Sequence, residues 1–397
     1  MSPATRALVA TTAIQIAVSL AALTLPAIAP VVARDLGVPA SMVGTYISLL
    51  YLGAATAALA AGGLVLRLGA IRLSQWALLL CAGGLLVGLT PLLAVVAAAA
   101  LLIGLGYGPI TPASSHVLAR TTPPERRALT FSIKQTGVPA GTALAGIVVP
   151  PLAVAFGWQV GVAAVAVARA LLALAVQPLR AELDADRDPQ ARLSAAALIA
   201  ALRLVLATPP LRTLAAVSFV FAGMQMCTSS FVVAYLAEEV GLSLVTAGLG
   251  LTAASVAGVG ARIFWGAVAD RWMSPRATLA LLGALMAVFA WTAAGFSAAW
   301  PLPLLLAACA ALGATAIGWN GVYLAEVAHV AAPGQAGLAT GGCLFFTYVG
   351  VVFCPFLFGV LQRASGSYAL AFAIAGGVCR ATAVSLLVRQ KVRARPP

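Results

Sequence analysis

Twelve apolar runs, each long enough to cross a hydrocarbon layer, follow one another along this chain and leave it few folds to adopt. They lie at roughly 8–33, 41–65, 73–90, 92–119, 125–152, 157–179, 211–237, 242–269, 275–297, 301–330, 335–363 and 366–389. A hydrocarbon core about 30 Å thick is spanned by ~20 residues rising 1.5 Å each. Lipid offers the backbone no hydrogen-bonding partner, so each run is expected to be a helix. The breaks between runs carry turn chemistry, as at Gly37-Val38-Pro39, Thr90-Pro91, Pro123-Pro124, Gly157, Trp300-Pro301 and Pro333-Gly334. With 62% hydrophobic and only 8% charged residues, the chain could not keep a soluble surface of this length wet. The expected fold class is an all-α membrane protein with the bilayer as its solvent and twelve transmembrane helices.

The net charge of +13 raises the question of nucleic acid, and the placement of the charges answers it. Arg and Lys sit in short connectors and at the C-terminus, with no basic stripe interleaved with aromatics on a polar surface. Put the N-terminus inside, and the inner connectors hold Arg6, Arg67, Arg72, Arg120, Arg126, Arg127, Arg180, Arg187, Arg192, Arg203, Arg212, Arg271, Arg276, Arg389, Lys391, Arg393 and Arg395. The outer connectors hold Arg34 and Arg363. That asymmetry predicts both termini in the cytoplasm, with the inner (plasma) membrane as the expected location. The six Cys are scattered through apolar segments without pairing or ligand spacing and read as small core residues. No cleavable signal peptide is expected, because the first apolar run is long and leads straight into further spans. No metal or cofactor is expected either.

The longest polar stretch, Arg180 to Pro210, divides the runs six to six. The expected domains are therefore an N-terminal bundle at 1–180, a cytoplasmic linker at 181–210 and a C-terminal bundle at 211–397. Within the linker, Leu193 to Leu206 is amphipathic and suits a helix lying on the membrane surface, but a solvated tether between the halves explains the stretch equally well.

The halves echo each other. Gly62, Arg67 and Arg72 after the second run recur as Gly266, Arg271 and Arg276 after the eighth, at one constant offset. Runs four and ten both end at a proline turn, at Pro123 and Pro333. Parallel halves of this kind suit a carrier that rocks around a central site. The piece Gly266-Ala-Val-Ala-Asp270-Arg271-Trp272-Met-Ser-Pro-Arg276 resembles the signature loop between spans eight and nine of the major facilitator superfamily, and the likeness extends over nearly the whole chain. In the first half, Leu66 stands where that signature expects Asp. The resemblance implies two pseudo-symmetric six-helix bundles, a secondary transporter and no enzyme. Phe131-Ser-Ile-Lys134-Gln-Thr-Gly137 and Gly318-Trp-Asn320-Gly-Val-Tyr323-Leu-Ala-Glu326 are similar, more loosely, to bacterial carriers of the cyanate-transporter and organic-anion kind. The proton-driven exporters of the superfamily carry an Arg in span four before its Gly-rich stretch, where this chain has alanine near Ala100, and their span-five Gly-Pro motif is only suggested by Gly137-Val138-Pro139-Ala140-Gly141.

Among residues that could carry chemistry, Lys134 stands out. It lies about 6 residues past the inner edge of span five, roughly 9 Å deep at helical rise. A cation near the bilayer centre costs about 2.5–3.5 kcal/mol on insertion scales, so it is expected to face a cavity or a partner. No carboxylate lies deep in any first-half span, which makes an anionic solute its simplest partner. The bland alternative is a lysine snorkelling inward or pairing within the bundle. A lysine that itself carries the proton is a further possibility.

Gln135 extends the polar reach of Lys134. Asn320, Tyr323 and Glu326 share roughly one face of span ten, and Gln225 in span seven and Tyr46 in span two are further candidates to line a cavity, although polar side chains also glue helices together. Glu326 precedes Pro333, and His116 precedes Pro123, by the same seven residues. These two are read as equivalent points for proton coupling or an inner gate, against the plainer reading of two independent, headgroup-wetted residues. Asp270, Arg271 and Arg276, with Arg126 and Arg127 as partners at the start of span five, are read as a conformational latch. Arg169, Arg262 and Arg380 are expected to be structural.

The expectation is a monomeric carrier moving a small, monocarboxylate-like organic anion by alternating access, with uptake coupled to an ion, H+ in the first place. The alternative is a proton-driven drug or metabolite exporter. A membrane enzyme or redox subunit would need a nucleophile–base set, a metal cluster or paired His inside the spans, and the sequence offers none.

Overall fold

The computed structural model describes residues 2–38, 43–190 and 195–393. Pro39, Arg192, Leu193 and Arg395 lie outside the described residues. Among the described residues, twelve helices are long and apolar enough to cross a membrane: Pro3–Ala27, Thr45–Leu68, Ala70–Val87, Leu93–Thr121, Pro124–Phe156, Trp158–Leu183, Pro209–Glu238, Thr246–Arg271, Pro275–Ala294, Leu302–Val330, Ala336–Ser365 and Tyr368–Leu387. They are called spans 1 to 12 below. The described residues contain no strand. The fold is the expected all-α one.

Apolar side chains cover the outside of the helices. Ile147, Val154, Leu174 and Val256 are each about two-thirds exposed or more, whereas Gln15, Lys134, Arg169, Arg262 and Glu326 are buried. This inversion of the soluble pattern is what a hydrocarbon solvent selects, since an ionisable group stranded in lipid is expensive.

Breaks within spans fall at or beside glycine or proline positions, where the helix is weakest or loses a backbone donor. Span 4 is two helices, Leu93–Tyr107 and Ile110–Thr121, meeting at Gly108-Pro109. Span 10 breaks at the equivalent point, between Leu302–Ala316 and Asn320–Val330, around Gly318. Span 5 breaks at Thr136, between Arg127–Gln135 and Gly137–Phe156. Pro139 accounts for that break, because its ring crowds the carbonyl four residues earlier, at Gln135.

Close packing follows the repeat. A Cβ on Gly104 of span 4 would fall 2.1 Å from the Leu50 carbonyl oxygen of span 2, and one on Gly313 of span 10 would fall 2.0 Å from that of Ala254 in span 8. Small residues at these crossings let helix backbones touch.

By contact, the chain forms two compact units that are not the same partition as the sequence halves. The first contains Met1–Pro123, Lys134–Thr208 and Ala328–Phe345, and the second Pro124–Ile133, Pro209–Val327 and Phe346–Pro397. In the first, Gly337 and Gly341 at the start of span 11 lie against Pro112 and His116 of span 4 and Ala58 of span 2. In the second, Ser132 at the start of span 5 is wedged against Gly266 of span 8 and Gly321 of span 10.

The polar connector is more than a solvated tether. Residues 180–188 are bound to the first unit through several hydrogen bonds, among them one from the Asp188 N–H to the Leu66 carbonyl (2.7 Å). The helix Ala195–Ala207 buries Ala201 and Val205, both packed on Gly342, and turns Ile199, Arg203 and Leu206 outward.

Candidate solute site and latch

Lys134 ends the short helix Arg127–Gln135, where the last carbonyls and the negative end of the dipole favour a cation. Its side chain is 1% exposed. The ammonium donates to Gln15 Oε1 (2.7 Å), Gln135 Oε1 (3.0 Å) and Thr111 Oγ1 (3.4 Å), so three oxygens from spans 1, 4 and 5 converge on it. Gln15 is itself fixed. Its Oε1 also accepts from the Thr111 hydroxyl (3.3 Å), and its Nε2 donates to Ser19 Oγ (3.3 Å). All of these residues belong to the first unit. Chemically the cluster is a buried cation whose three named acceptors are uncharged, so exchanging one for a carboxylate oxygen turns a charge-assisted bond into an ion pair.

The second unit holds its own polar cluster. Gln225 Oε1 accepts from Asn320 Nδ2 (3.1 Å) and from Trp319 Nε1 (3.2 Å). The break in span 10 places Asn320 at the start of a new helix and brings it to span 7. Tyr323, one turn on, is 1% exposed and packs edge-on against Trp319 with ring centroids 5.3 Å apart. Tyr46 does not join the Lys134 cluster. It lines an apolar pocket with Leu25, Pro26, Val32 and Leu93, and its hydroxyl is buried without a hydrogen-bond partner among the described residues.

Asp270 closes span 8 and reaches the first turn of the helix Arg127–Gln135. Its carboxylate accepts from the N–H of Ala128 (2.9 Å) and of Leu129 (2.7 Å), directly after Arg126 and Arg127. These donors have no partner inside their own helix, and the positive end of the dipole adds to their pull. The carboxylate is thus received by the backbone N–H groups of the two residues that follow the expected partners, Arg126 and Arg127. Arg276 points elsewhere, donating through Nε (3.2 Å) and Nη2 (3.1 Å) to the Leu386 carbonyl of span 12. Arg271 is exposed.

His116 is engaged by a residue the sequence did not single out. Its Nε2 lies 2.6 Å from Asp186 Oδ2, while Arg120 pairs with the other oxygen of the same carboxylate. Burial alone would raise the Asp186 carboxyl, but the hydrogen bonds and charges of His116 and Arg120 outweigh it and hold it below the usual range. Asp184 is 3% exposed and accepts from the N–H of Ile71 (2.7 Å) and Arg72 (3.0 Å). Burial raises its carboxyl above the ordinary value, and those two bonds and Arg180 offset only part of the rise. Glu326 is 5% exposed and lies in the second unit.

The remaining intramembrane arginines are built into helix contacts. Arg169 donates to the carbonyls of Val165 and Ala17. Arg262 donates to that of Ile317 (3.1 Å), securing the break in span 10. Arg380 is exposed and lies over the Trp291 ring at 5.8 Å. The six cysteines are free. Among the described residues, no His, Cys, Asp and Glu side chains gather in a way that would hold a metal ion.

A twelve-helix bundle with a repeated glycine and arginine loop and broken spans 4 and 10 invites comparison with known carriers. A family model, the Major Facilitator Superfamily, matches the chain over residues 9–341 and 214–397. The chain belongs to that superfamily.

It is thus a multi-pass membrane transporter and not an enzyme. The human organic anion transporter MFSD10 (TETRAN) superposes with a TM-score of 0.77 at 16% identity, covering 97% of this chain and 100% of that one. The E. coli fucose:proton symporter FucP gives 0.72 at 16% identity over 97% and 98%. The proton:xylose symporter XylE gives 0.72 at 15% identity over 97% and 95%. At these identities the likeness is one of fold. A hexuronate transporter of Bacillus subtilis (strain 168) is 30% identical over 137 residues, 33% of this chain, and the match spans only 32% of that relative's length.

Within the superfamily fold, the residues that sequence reasoning passed over are Gln15, Thr111, Ser132, Asp184 and Asp186. Gln15 did carry a signal, as an amide in the middle of an apolar run, where a polar side chain needs a partner. Asp184 and Asp186 were hidden among other charges of the connector, and nothing in their spacing marks one as a cap and the other as a counter-charge.

Proposed function

We propose that this superfamily member takes up a small monocarboxylate-like organic anion, coupled to protons, by alternating access across the bacterial inner membrane. It works as a monomer with both termini in the cytoplasm. The observation that carries the reading is the Lys134 ammonium, sealed from solvent and held by the oxygens of Gln15, Gln135 and Thr111. A carboxylate entering this cluster displaces a neutral acceptor and meets a charge already desolvated and oriented. The partial likeness to a hexuronate transporter supports the choice of anion, because a hexuronate is a monocarboxylate.

In this reading Gln135 positions the ammonium, and Gln225, Asn320 and Tyr323 offer hydrogen bonds to the polar remainder of the solute during the cycle. Tyr46 shapes the outer approach. Glu326 and His116 are the proton-sensitive groups. Asp270, with Arg126, Arg127 and Arg271 as its candidate partners, holds the start of span 5 in place between turnovers, while Arg276 ties span 9 to span 12.

The test is uptake of radiolabelled glucuronate and smaller monocarboxylates into proteoliposomes, with and without an inwardly acidifying pH gradient. Gradient-driven accumulation that is lost in Lys134→Ala is expected. Accumulation that survives the substitution at unchanged affinity removes Lys134 from the site, and drug resistance on overexpression without any uptake favours export.

A further inference from the structure

The end of span 6 and the connector after it bind four separate span ends within the first unit. Glu182 pairs with Arg6 at the start of span 1 (3.0 Å). The Asp188 N–H donates to the Leu66 carbonyl at the end of span 2 (2.7 Å). Asp184 accepts from the first N–H groups of span 3, and Asp186 receives His116 and Arg120 of span 4. Arg120 also donates to the Leu183 carbonyl (2.7 Å).

Span 3 shows why an outside carboxylate is needed. The equivalent span of the second half, span 9, is capped by its own Ser274, whose hydroxyl accepts from the Ala277 N–H. Span 3 has Gly69 at that place, at φ +89, with no side chain to offer. Asp184 fills the space instead, since a Cβ on Gly69 would lie 2.3 Å from its carboxyl carbon. The glycine and the distant aspartate are one device, divided between two parts of the chain.

Two of the spans held in this way, spans 2 and 4, receive the start of span 11 within the same unit. Gly62, one turn before Leu66, abuts Leu338, and Gly337 rests on Pro112 and His116. In the second half, the matching surface is secured by the loop carboxylate Asp270. In the first half the loop position is Leu66, whose side chain cannot accept a hydrogen bond.

We infer that Asp184 and Asp186 are positioning residues of the transport cycle: Asp184 fixes the start of span 3 where Gly69 joins it to span 2, and Asp186 fixes the end of span 4, so that spans 2 and 4 receive the start of span 11. This rests on the alternating-access reading, but it can be read out without any solute. A failed anion-uptake experiment would therefore leave it standing, and its own failure would leave the anion site untouched.

The probe is a membrane-impermeant maleimide applied to inside-out vesicles holding the full chain. The six native cysteines are replaced, and Ala339→Cys is introduced on span 11, where the wild-type side chain is 0% exposed. Labelling then reports how often the segment leaves its seat. Asp184→Asn and Asp186→Asn are expected to speed labelling about tenfold or more, the scale of one lost hydrogen bond to a charged group. Asp186→Glu should restore most of the protection. Asp188→Asn is the control, because it removes the same charge while keeping the backbone donor used here, and it should label like the parent. Gly69→Ala, which drives a methyl group into the Asp184 carboxyl, should act like Asp184→Asn and serves where that variant is not recovered. Equal labelling of Asp184→Asn, Asp186→Asn, Gly69→Ala and the Asp188→Asn control would overturn the inference.

Discussion

Replacing Asp270 by Asn separates the charge of the latch from its shape. In the native side chain one oxygen accepts from Ala128 N–H at 2.9 Å and the other from Leu129 N–H at 2.7 Å. Asn keeps one acceptor and turns an NH2 group toward the second donor, which is left facing another donor. The loss is one charge-assisted hydrogen bond together with a compensating charge at a helix N-terminus, about 1.5–3 kcal/mol. If that contact exists only while the start of span 5 is seated on spans 8 and 10, the seated state should lose about 10- to 150-fold in population relative to the released one. Ser132 gives a local reporter, because it is fully buried and wedged between Gly266 and Gly321. Maleimide labelling of Ser132→Cys in a cysteine-free background should accelerate in the Asp270→Asn variant by that factor, up to the intrinsic rate of the open state. Transport turnover should change more than solute affinity, since no solute contact is assigned to this loop. Asp270→Glu, one methylene longer, should recover part of the effect. Unchanged Ser132→Cys labelling in Asp270→Asn, or a loss of solute affinity at unchanged turnover, would refute the latch.

Gly321→Ala should be poorly tolerated, because its Cβ would lie 2.2 Å from the Cα and 2.5 Å from the N of Ser132, and backbone cannot yield as a side chain can. Overpacking of this kind costs about 1–3 kcal/mol, to be read as a lower unfolding temperature and faster Ser132→Cys labelling. Tyr235→Phe removes the buried hydroxyl that donates to the Ala293 carbonyl (2.7 Å) and should cost about 1–2 kcal/mol of thermal stability with little change in transport kinetics. The pH dependence of the connector follows from Asp186, whose carboxyl is held low by His116 and Arg120 against the opposing effect of burial. Such a group contributes stability that is present above the ordinary aspartate value of ~3.9 and is lost as pH falls through the lowered folded value. The stability gap between the parent and Asp186→Asn, followed by thermal unfolding in detergent, should therefore be open at neutral pH and close in acid; a gap independent of pH would refute the assignment.

How much of this was legible from the residues depended on whether the physics was local. Length, hydropathy and turn residues act within a few positions, so the twelve spans and their breaks could be read directly. The loop around Asp270 was legible for a related reason, since Gly266, Arg271 and Arg276 repeat an earlier pattern and place the aspartate at a helix end. What the sequence could not reveal were pairings decided by the path of the chain in space. His116 and Glu326 occupy equivalent points of the repeat and on symmetry alone suggest each other. The imidazole is held by Asp186, a residue that symmetry does not point to, because the connector folds back onto the end of span 4. Tyr46 and Lys134 both read as polar groups inside apolar runs, yet one sits in an apolar pocket and the other in a ring of oxygens.

The repeat itself explains where sequence symmetry misleads. Two halves of one fold face the same steric demands, so Gly104 and Gly313 are matched, as are the breaks at Gly108 and Gly318. A steric demand is met only by a small residue at that position, and it therefore survives in both halves as a readable glycine. An electrostatic demand at a helix start is satisfied by any carboxylate or hydroxyl that the fold can deliver, from any part of the chain. Span 9 meets it with Ser274 just before its first turn, span 5 with Asp270 from another span, and span 3 with Asp184 from more than a hundred positions away. A missing cap at a glycine such as Gly69 is thus a signal in its own right. It leaves room for a distant acceptor, and at span 3 the acidic connector that follows span 6 supplies one.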